Sequence, residues 1–198
     1  MKLCNLTFAA VLMLSTNSVL AADPSGSFAV KGVGLSKCSA FVEAVKSKEA
    51  NTFSRYVGWL SGYLSASNQH TSNTFDLTPW QNIRTLTLAL VNHCDRNADM
   101  RFAEAAVRMA ASLTSERLSE KSELLPVEHE GKKHYLYKEA VRRTQAKLSE
   151  LGMYTGDMTG EFNEATKQAV TTFQTERKIS ATGLPDQKTM FELMRKTK

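Results

Sequence analysis

The sequence predicts an all-α protein in two parts: a disulfide-bonded four-helix N-terminal domain and a three-helix C-terminal domain. Three observations carry this expectation. Apolar residues recur at intervals of three and four in both halves, the spacing of a helix face. A charge-rich stretch holding Pro126 and Gly131 separates the halves. Cys38 and Cys94 sit near the start of the first helical stripe and the end of the third. The 198 residues are 42% hydrophobic and 23% charged, with 10 Gly and 4 Pro, which excludes collagen-like, disordered and disulfide-dense classes. That length suits one domain or two small ones, since domains mostly run to roughly 100–150 residues.

Residues 1–22 read as an address. Met1-Lys2 gives a charged start, Leu6 to Leu14 an apolar stretch, and Val19-Leu20-Ala21-Ala22 a small-residue end. This is the order of a secretory signal peptide cleaved after Ala21 or Ala22. It predicts a periplasmic or secreted, envelope-associated protein. Thr7, Ser15, Thr16, Asn17 and Ser18 interrupt the run, so it falls short of the about 20 apolar residues a membrane span needs. Multipass transport is excluded. Cys4 precedes the apolar run and is misplaced for lipid anchoring. Removal of the signal leaves Cys38 and Cys94, an even pair in an oxidising compartment, and predicts that they are bonded.

Residues 23–118 carry four helical stripes. Ser36 is placed to cap a helix through Cys38, Phe41, Val42 and Val45. A second runs from about Thr52 through Phe53, Tyr56, Val57, Leu60 and Leu64. Thr78-Pro79 reads as the start of a third, with Trp80, Ile83, Leu86, Leu90 and Cys94 on one side. A fourth begins near Asp99 and carries Phe102, Ala106, Met109 and Leu113. A bond from Cys38 to Cys94 requires the first and third helices to run roughly antiparallel. Gly58 and Gly62, four apart on one helix face, predict close approach of another backbone, because each glycine costs about 1 kcal/mol in a helix interior.

The run Trp59-Leu60-Ser61-Gly62-Tyr63-Leu64-Ser65-Ala66-Ser67-Asn68, with Cys38 before it and Cys94-Asp95-Arg96-Asn97 after, resembles small periplasmic HdeA-like acid-stress chaperones and immunity proteins of type VI secretion. The resemblance covers roughly residues 35–115 and implies an all-helical, singly disulfide-bonded fold with a partner-binding task.

Residues 119–134 read as a linker in which Leu124, Leu125 and Val127 are able to dock on a neighbour. Charge divides near the same place. Residues 23–130 hold 11 Lys+Arg against 12 Asp+Glu, while residues 131–198 hold 13 against 8, a net of +5. A basic surface raises the local concentration of anionic partners and weakens with salt. Outside the cytoplasm this points to anionic envelope polymers rather than nucleic acid, for which no aromatic-basic interleaving is present.

Residues 135–198 are the more specific part. A helical pattern from Tyr137 to Leu151 turns Val141, Leu148 and Leu151 inward and stops at Gly152. Gly152, Gly156 and Gly160, four apart, predict a folded loop with positive backbone angles. Asn163 caps the next helix, with Glu164 in its first turn and Ala169, Val170 and Phe173 buried. After Thr182-Gly183-Leu184-Pro185, Asp186 starts a third helix with Met190, Leu193 and Met194. The pattern Val141, Gln145, Leu148, Leu151-Gly152, Tyr154, Gly156, Gly160, Phe162, Thr166, Ala169-Val170, Phe173-Gln174, Thr182-Gly183, Asp186, Thr189 and Leu193 resembles the peptidoglycan-binding-like domain. The resemblance implies a small non-catalytic module that attaches envelope proteins to murein. Two positions depart from it: Thr159 replaces the usual aspartate, removing a carboxylate from the loop, and Asn163 replaces a glycine.

A murein contact calls for hydroxyl and amide donors, an aromatic for sugar faces and a cation for peptide carboxylates. Tyr154, Asp157, Thr159, Gln174 and Arg177 are the candidates. Three have a structural reading as well: Tyr154 as closure of the core, Gln174 as a backbone cap, Asp157 as a brace of its own turn.

No catalytic pattern stands out. His70, His93, His129 and His134 lack zinc-peptidase spacing, no G-x-S-x-G elbow occurs, and no spare thiol remains in the mature chain. Glu43, Asp76 and Glu104 have no spacing that marks an acid and base pair. Gly32-Val33-Gly34 lacks the Lys-Ser/Thr of a phosphate loop. No cofactor or metal is expected. The sequence therefore reads as an exported, non-catalytic envelope protein that binds peptidoglycan through its C-terminal module and a protein or small ligand through its N-terminal domain. The alternatives are an accessory or regulator of a murein hydrolase, and a periplasmic chaperone or immunity-type protein without wall binding.

Overall fold

The computed structural model describes residues 23, 27–47 and 49–195. The signal peptide expected at residues 1–22, with Cys4 and the expected cleavage site, lies outside the described residues. The described chain is mostly helical: α1 (Cys38–Lys46), α2 (Ala50–His70), α3 (Ile83–Asp95), α4 (Phe102–Leu113), α5 (Lys138–Glu150), α6 (Glu164–Glu176) and α7 (Gln187–Met194), with one hairpin, β1 (Leu124–His129) and β2 (Lys132–Tyr137), between α4 and α5.

The front four helices close around Phe41, Tyr56 and Phe102, whose ring centroids lie 4.7–5.2 Å apart. Tilted rings at this spacing match edge and face charge as well as burying area. Leu60, Leu64, Leu86 and Leu90 complete the core. Cys38 and Cys94 are bonded and fully buried in it. Trp59 lies edge-on to Phe102 and donates to the Lys31 carbonyl at 2.8 Å. The Gly32–Leu35 turn passes beneath its ring, and a Cβ on Gly34 would stand 2.5 Å from the indole. That contact accounts for the glycine at 34.

Helix starts differ from the sequence expectation where tertiary contacts intervene. Lys37, not Ser36, precedes α1 and caps it with no side chain, because the Ser36 carbonyl accepts from Phe102 and the Cys38 N–H donates to Met100. Helix α3 starts at Ile83 rather than at Thr78-Pro79. Thr78 is held in a turn by the Asp76 carboxylate, and Asn82 supplies the cap, accepting from the Thr85 N–H at 2.9 Å. Asp99 lies before α4 and pairs with Lys37 at 2.8 Å. Gly58 and Gly62 also fall differently: both are exposed, and a Cβ on either would meet nothing within 4 Å.

The largest addition is the hairpin at the expected linker. Leu125, Val127 and His129 alternate inward while Leu124, Pro126 and Glu128 face out, the period of two that a strand imposes. Glu130 and Gly131 turn with φ of 48° and 73°, the twist a two-residue hairpin favours. Val127 packs with Leu136, Val141 and Leu184, and Trp80 of the front half leans on the same cluster. Around this seam the Gln187 side chain accepts from the Asn82 N–H at 2.8 Å and the Thr85 hydroxyl at 2.7 Å, and donates to the Trp80 carbonyl. Arg143 donates to the Glu116 and Arg117 carbonyls. Tyr137 meets Phe75 edge-on at 5.8 Å, and its hydroxyl is raised above its ordinary pKa by burial, then by the Asp76 charge.

Candidate functional site

The C-terminal module is assembled on two buried glutamines. Gln145, fully buried on α5, donates to the Thr166 hydroxyl at 2.9 Å and the Glu161 carbonyl at 3.0 Å, and accepts from the Gly160 N–H at 2.8 Å. Gln174 on α6 donates to Thr189 at 2.7 Å and the Leu184 carbonyl at 2.9 Å, and accepts from the Gly183 N–H at 2.9 Å. Both glycines have positive φ, 76° and 64°. In each case the residue three beyond the glycine, Asn163 or Asp186, caps the following helix by accepting from Thr166 or Thr189 at 2.9 Å. Gly-x-x-(Asn/Asp)-x-x-Thr thus occurs twice, and each copy turns the chain into a helix around one buried amide.

The loop between α5 and α6 is shaped by its glycines. Gly152 stops α5 with φ 74°, and its N–H returns to Ser149 at 2.9 Å. A Cβ on Gly160 would lie 2.5 Å from the Lys138 carbonyl oxygen. Gly156 has no positive φ; its place is required by the Tyr154 hydroxyl, 2.7 Å from where a Cβ would stand. Behind the loop, Leu148, Tyr154, Val170, Phe173 and Leu193 form the core.

Residues 137–193 match the family model "Putative peptidoglycan binding domain". No curated protein and no solved structure matches the chain. The match covers less than a third of the chain, from the end of β2 to α7, and leaves the front half unassigned.

Within the matched module the five candidate residues fall into two sets. Tyr154 is 4% exposed and its hydroxyl donates to the Asp157 carbonyl at 2.8 Å. Gln174 is 0% exposed, with its amide committed to the second turn. Both hold the fold, and neither side chain is open to a polymer. Asp157, Thr159 and Arg177 are exposed. Asp157 and Thr159 share the loop, joined by the Thr159 N–H to the Asp157 carbonyl at 2.9 Å, and the Thr159 hydroxyl accepts from the Glu161 N–H. Thr159 also borders a polar cleft of about 450 Å³ with Lys121, Lys138 and Arg142. Arg177 stands apart at the end of α6, its guanidinium 5.5 Å from the Phe173 ring centroid.

Lys121, Lys138 and Arg142 were not singled out by sequence; the basic excess of residues 131–198 was a signal for Lys138 and Arg142, and none pointed to Lys121. Arg142 and Arg143 converge on Glu139 at 2.6 and 3.0 Å. Hydrogen bonding from Arg142 holds that carboxyl below its ordinary value against partial burial, with Arg143 adding to the effect. Among the described residues no group of three or more His, Cys, Asp or Glu is arranged to hold a metal, and no helix is long and apolar enough to cross a membrane.

Proposed function

We propose that this is an exported, non-catalytic cell-envelope protein that attaches to peptidoglycan through residues 135–198. The observation that carries the reading is the family match at residues 137–193, on a segment that folds as three helices around its own core and leaves its glycine loop exposed. The net charge of +5 on residues 131–198 favours an anionic polymer network and gives the attachment a salt dependence. Asp157, Thr159 and Arg177 are the outward-facing contacts. Domain limits of 23–118, 119–134 and 135–198 go with this reading, the middle segment bracing the module against the front half. The HdeA-like resemblance read from residues 35–115 of the sequence, which no family model matches, is the ground for giving that front half a protein or small-ligand partner.

Cosedimentation with insoluble murein sacculi tests the proposal. The purified protein is expected in the pellet at low salt and less so at high salt. Protein that remains in the supernatant at every salt concentration overturns wall attachment, and clearing of the murein suspension by the protein alone overturns the non-catalytic role.

A further inference from the structure

A second cleft, of about 480 Å³, opens where the front half meets the module. Its volume is in the range of small-molecule sites, roughly 300–1,000 Å³, and such sites favour junctions between domains. The apolar part of the lining comes from Trp80 of the front half and Leu151, Phe173 and Leu193 of the module. Charge rings the mouth, most of it already neutralised. Lys147 is paired with Glu150, Glu192 with Lys188 and Arg195, and Arg143 with Glu139. Two lining residues differ. Arg177 and Glu116 enter no ion pair within 4 Å among the described residues. Arg177 acts only at longer range: hydrogen bonding from Lys188 holds the Glu192 carboxyl below its ordinary value, and Arg177 is the last of the charges that add to this. Arg177 is exposed and held over the Phe173 ring.

We propose that this cleft between Trp80, Phe173 and Arg177 binds the stem peptide of peptidoglycan. The chemistry of the lining selects that part of the polymer. A guanidinium recognises a carboxylate in a two-pronged geometry, the Glu116 carboxylate of the same lining recognises an ammonium, and the apolar lining takes short aliphatic side chains. A stem peptide carries carboxylates, an amine on its diamino acid and alanine methyl groups; a glycan strand carries no amine and few apolar groups. Because Trp80 and Glu116 come from the front half, the site exists only when module and front half are docked. The Gln187 contacts to Trp80, Asn82 and Thr85 therefore position one wall of it.

This inference rests on the wall-binding reading, and calorimetric titration of the whole protein separates the two. The probe is a soluble disaccharide bearing a tetrapeptide stem with free carboxylates, beside the same disaccharide without peptide. Saturable heat is expected with the first and none with the second. Arg177→Gln, at an exposed position, is expected to weaken binding about tenfold or more, the scale of a lost charge-assisted contact, and Trp80→Phe to weaken it less. Equal binding by Arg177→Gln, or no saturable heat with the peptide-bearing probe, overturns the site. If sacculi still pull down Arg177→Gln as well as the parent, wall attachment stands and only the cleft assignment falls.

Discussion

Gln145 and Gln174 perform the same task one helix apart, each accepting from the N–H of a positive-φ glycine and donating to a threonine in the first turn of the next helix. A buried amide with all its partners is specific as well as stabilising, because removing it leaves the glycine N–H unpaired in the core. Gln145→Leu and Gln174→Leu are each expected to lower unfolding free energy by about 1–3 kcal/mol, the cost of an orphaned buried donor, as read from the urea midpoint. A change within a few tenths of a kcal/mol would show that water replaces the amide.

The glycines divide into two groups with opposite expected signs. Gly160→Ala and Gly183→Ala place a Cβ 2.5 Å from the Lys138 carbonyl oxygen and from the His129 ring, at φ of 76° and 64°. Both should destabilise, with Gly183→Ala displacing the hairpin tip. Gly58→Ala and Gly62→Ala fill open space in a helix and should each stabilise by about 0.5–1 kcal/mol. Thermal melts of the four variants test the contrast; a loss at either helix position contradicts the open face of α2.

The Cys38–Cys94 bond spans 56 positions in sequence. On the loop-entropy account such a cross-link restricts the unfolded chain by about 4 kcal/mol. Reduction should lower the denaturation midpoint by a corresponding amount. Alkylation of unfolded residues 23–198 should add two groups only after reduction, and labelling without reductant would show the bond absent.

Stability should fall in acid through Glu139. Its carboxyl lies below the ordinary value of 4.5 in the folded protein, chiefly because Arg142 donates to it. The contribution is complete above the unfolded carboxyl value and is lost as pH drops through the lower, folded one. Since Arg143 joins Glu139 to the Glu116 and Arg117 carbonyls, protonation loosens the seam between the halves. Glu139→Gln should be less stable than the parent at pH 7 and flatten the acid limb below about pH 4.5. An unchanged limb in urea titrations would assign it to other carboxylates.

Much of the helical architecture was legible. In α6 and α7, Asn163 and Asp186 are strong local caps followed by apolar positions at helical spacing, and both cap as expected. In α3 the local signal pointed to Thr78-Pro79, yet the Asp76 carboxylate holds that segment as a turn and Gln187 engages Trp80, Asn82 and Thr85. Gln187 comes from distant sequence and leaves no periodic trace, while Asp76, two residues before Thr78, competes locally for the same segment. The hairpin was hidden by its charge, its Pro126 and a Glu130-Gly131 turn in place of the stronger Asn-Gly signal; the alternation of Leu125 and Val127 was the cue available. Among the candidate contacts, residue type alone could not separate Tyr154 and Gln174, which face inward, from Asp157, Thr159 and Arg177, which face out.

By itself the sequence determined what short-range chemistry encodes: most helix faces, the caps at Asn163 and Asp186, the positive φ of Gly152 and Gly160, the cysteine pair, and the likeness of the last third to peptidoglycan-binding modules. Tertiary structure alone decided which polar side chains are spent inside the fold, that residues 124–137 pair as strands, and that Trp80 and Arg177, 97 positions apart in the chain, border one cleft. The physical reason is one of range. Capping and periodicity act within a turn or two of the chain, whereas burial and the enclosure of a cleft depend on where distant segments meet.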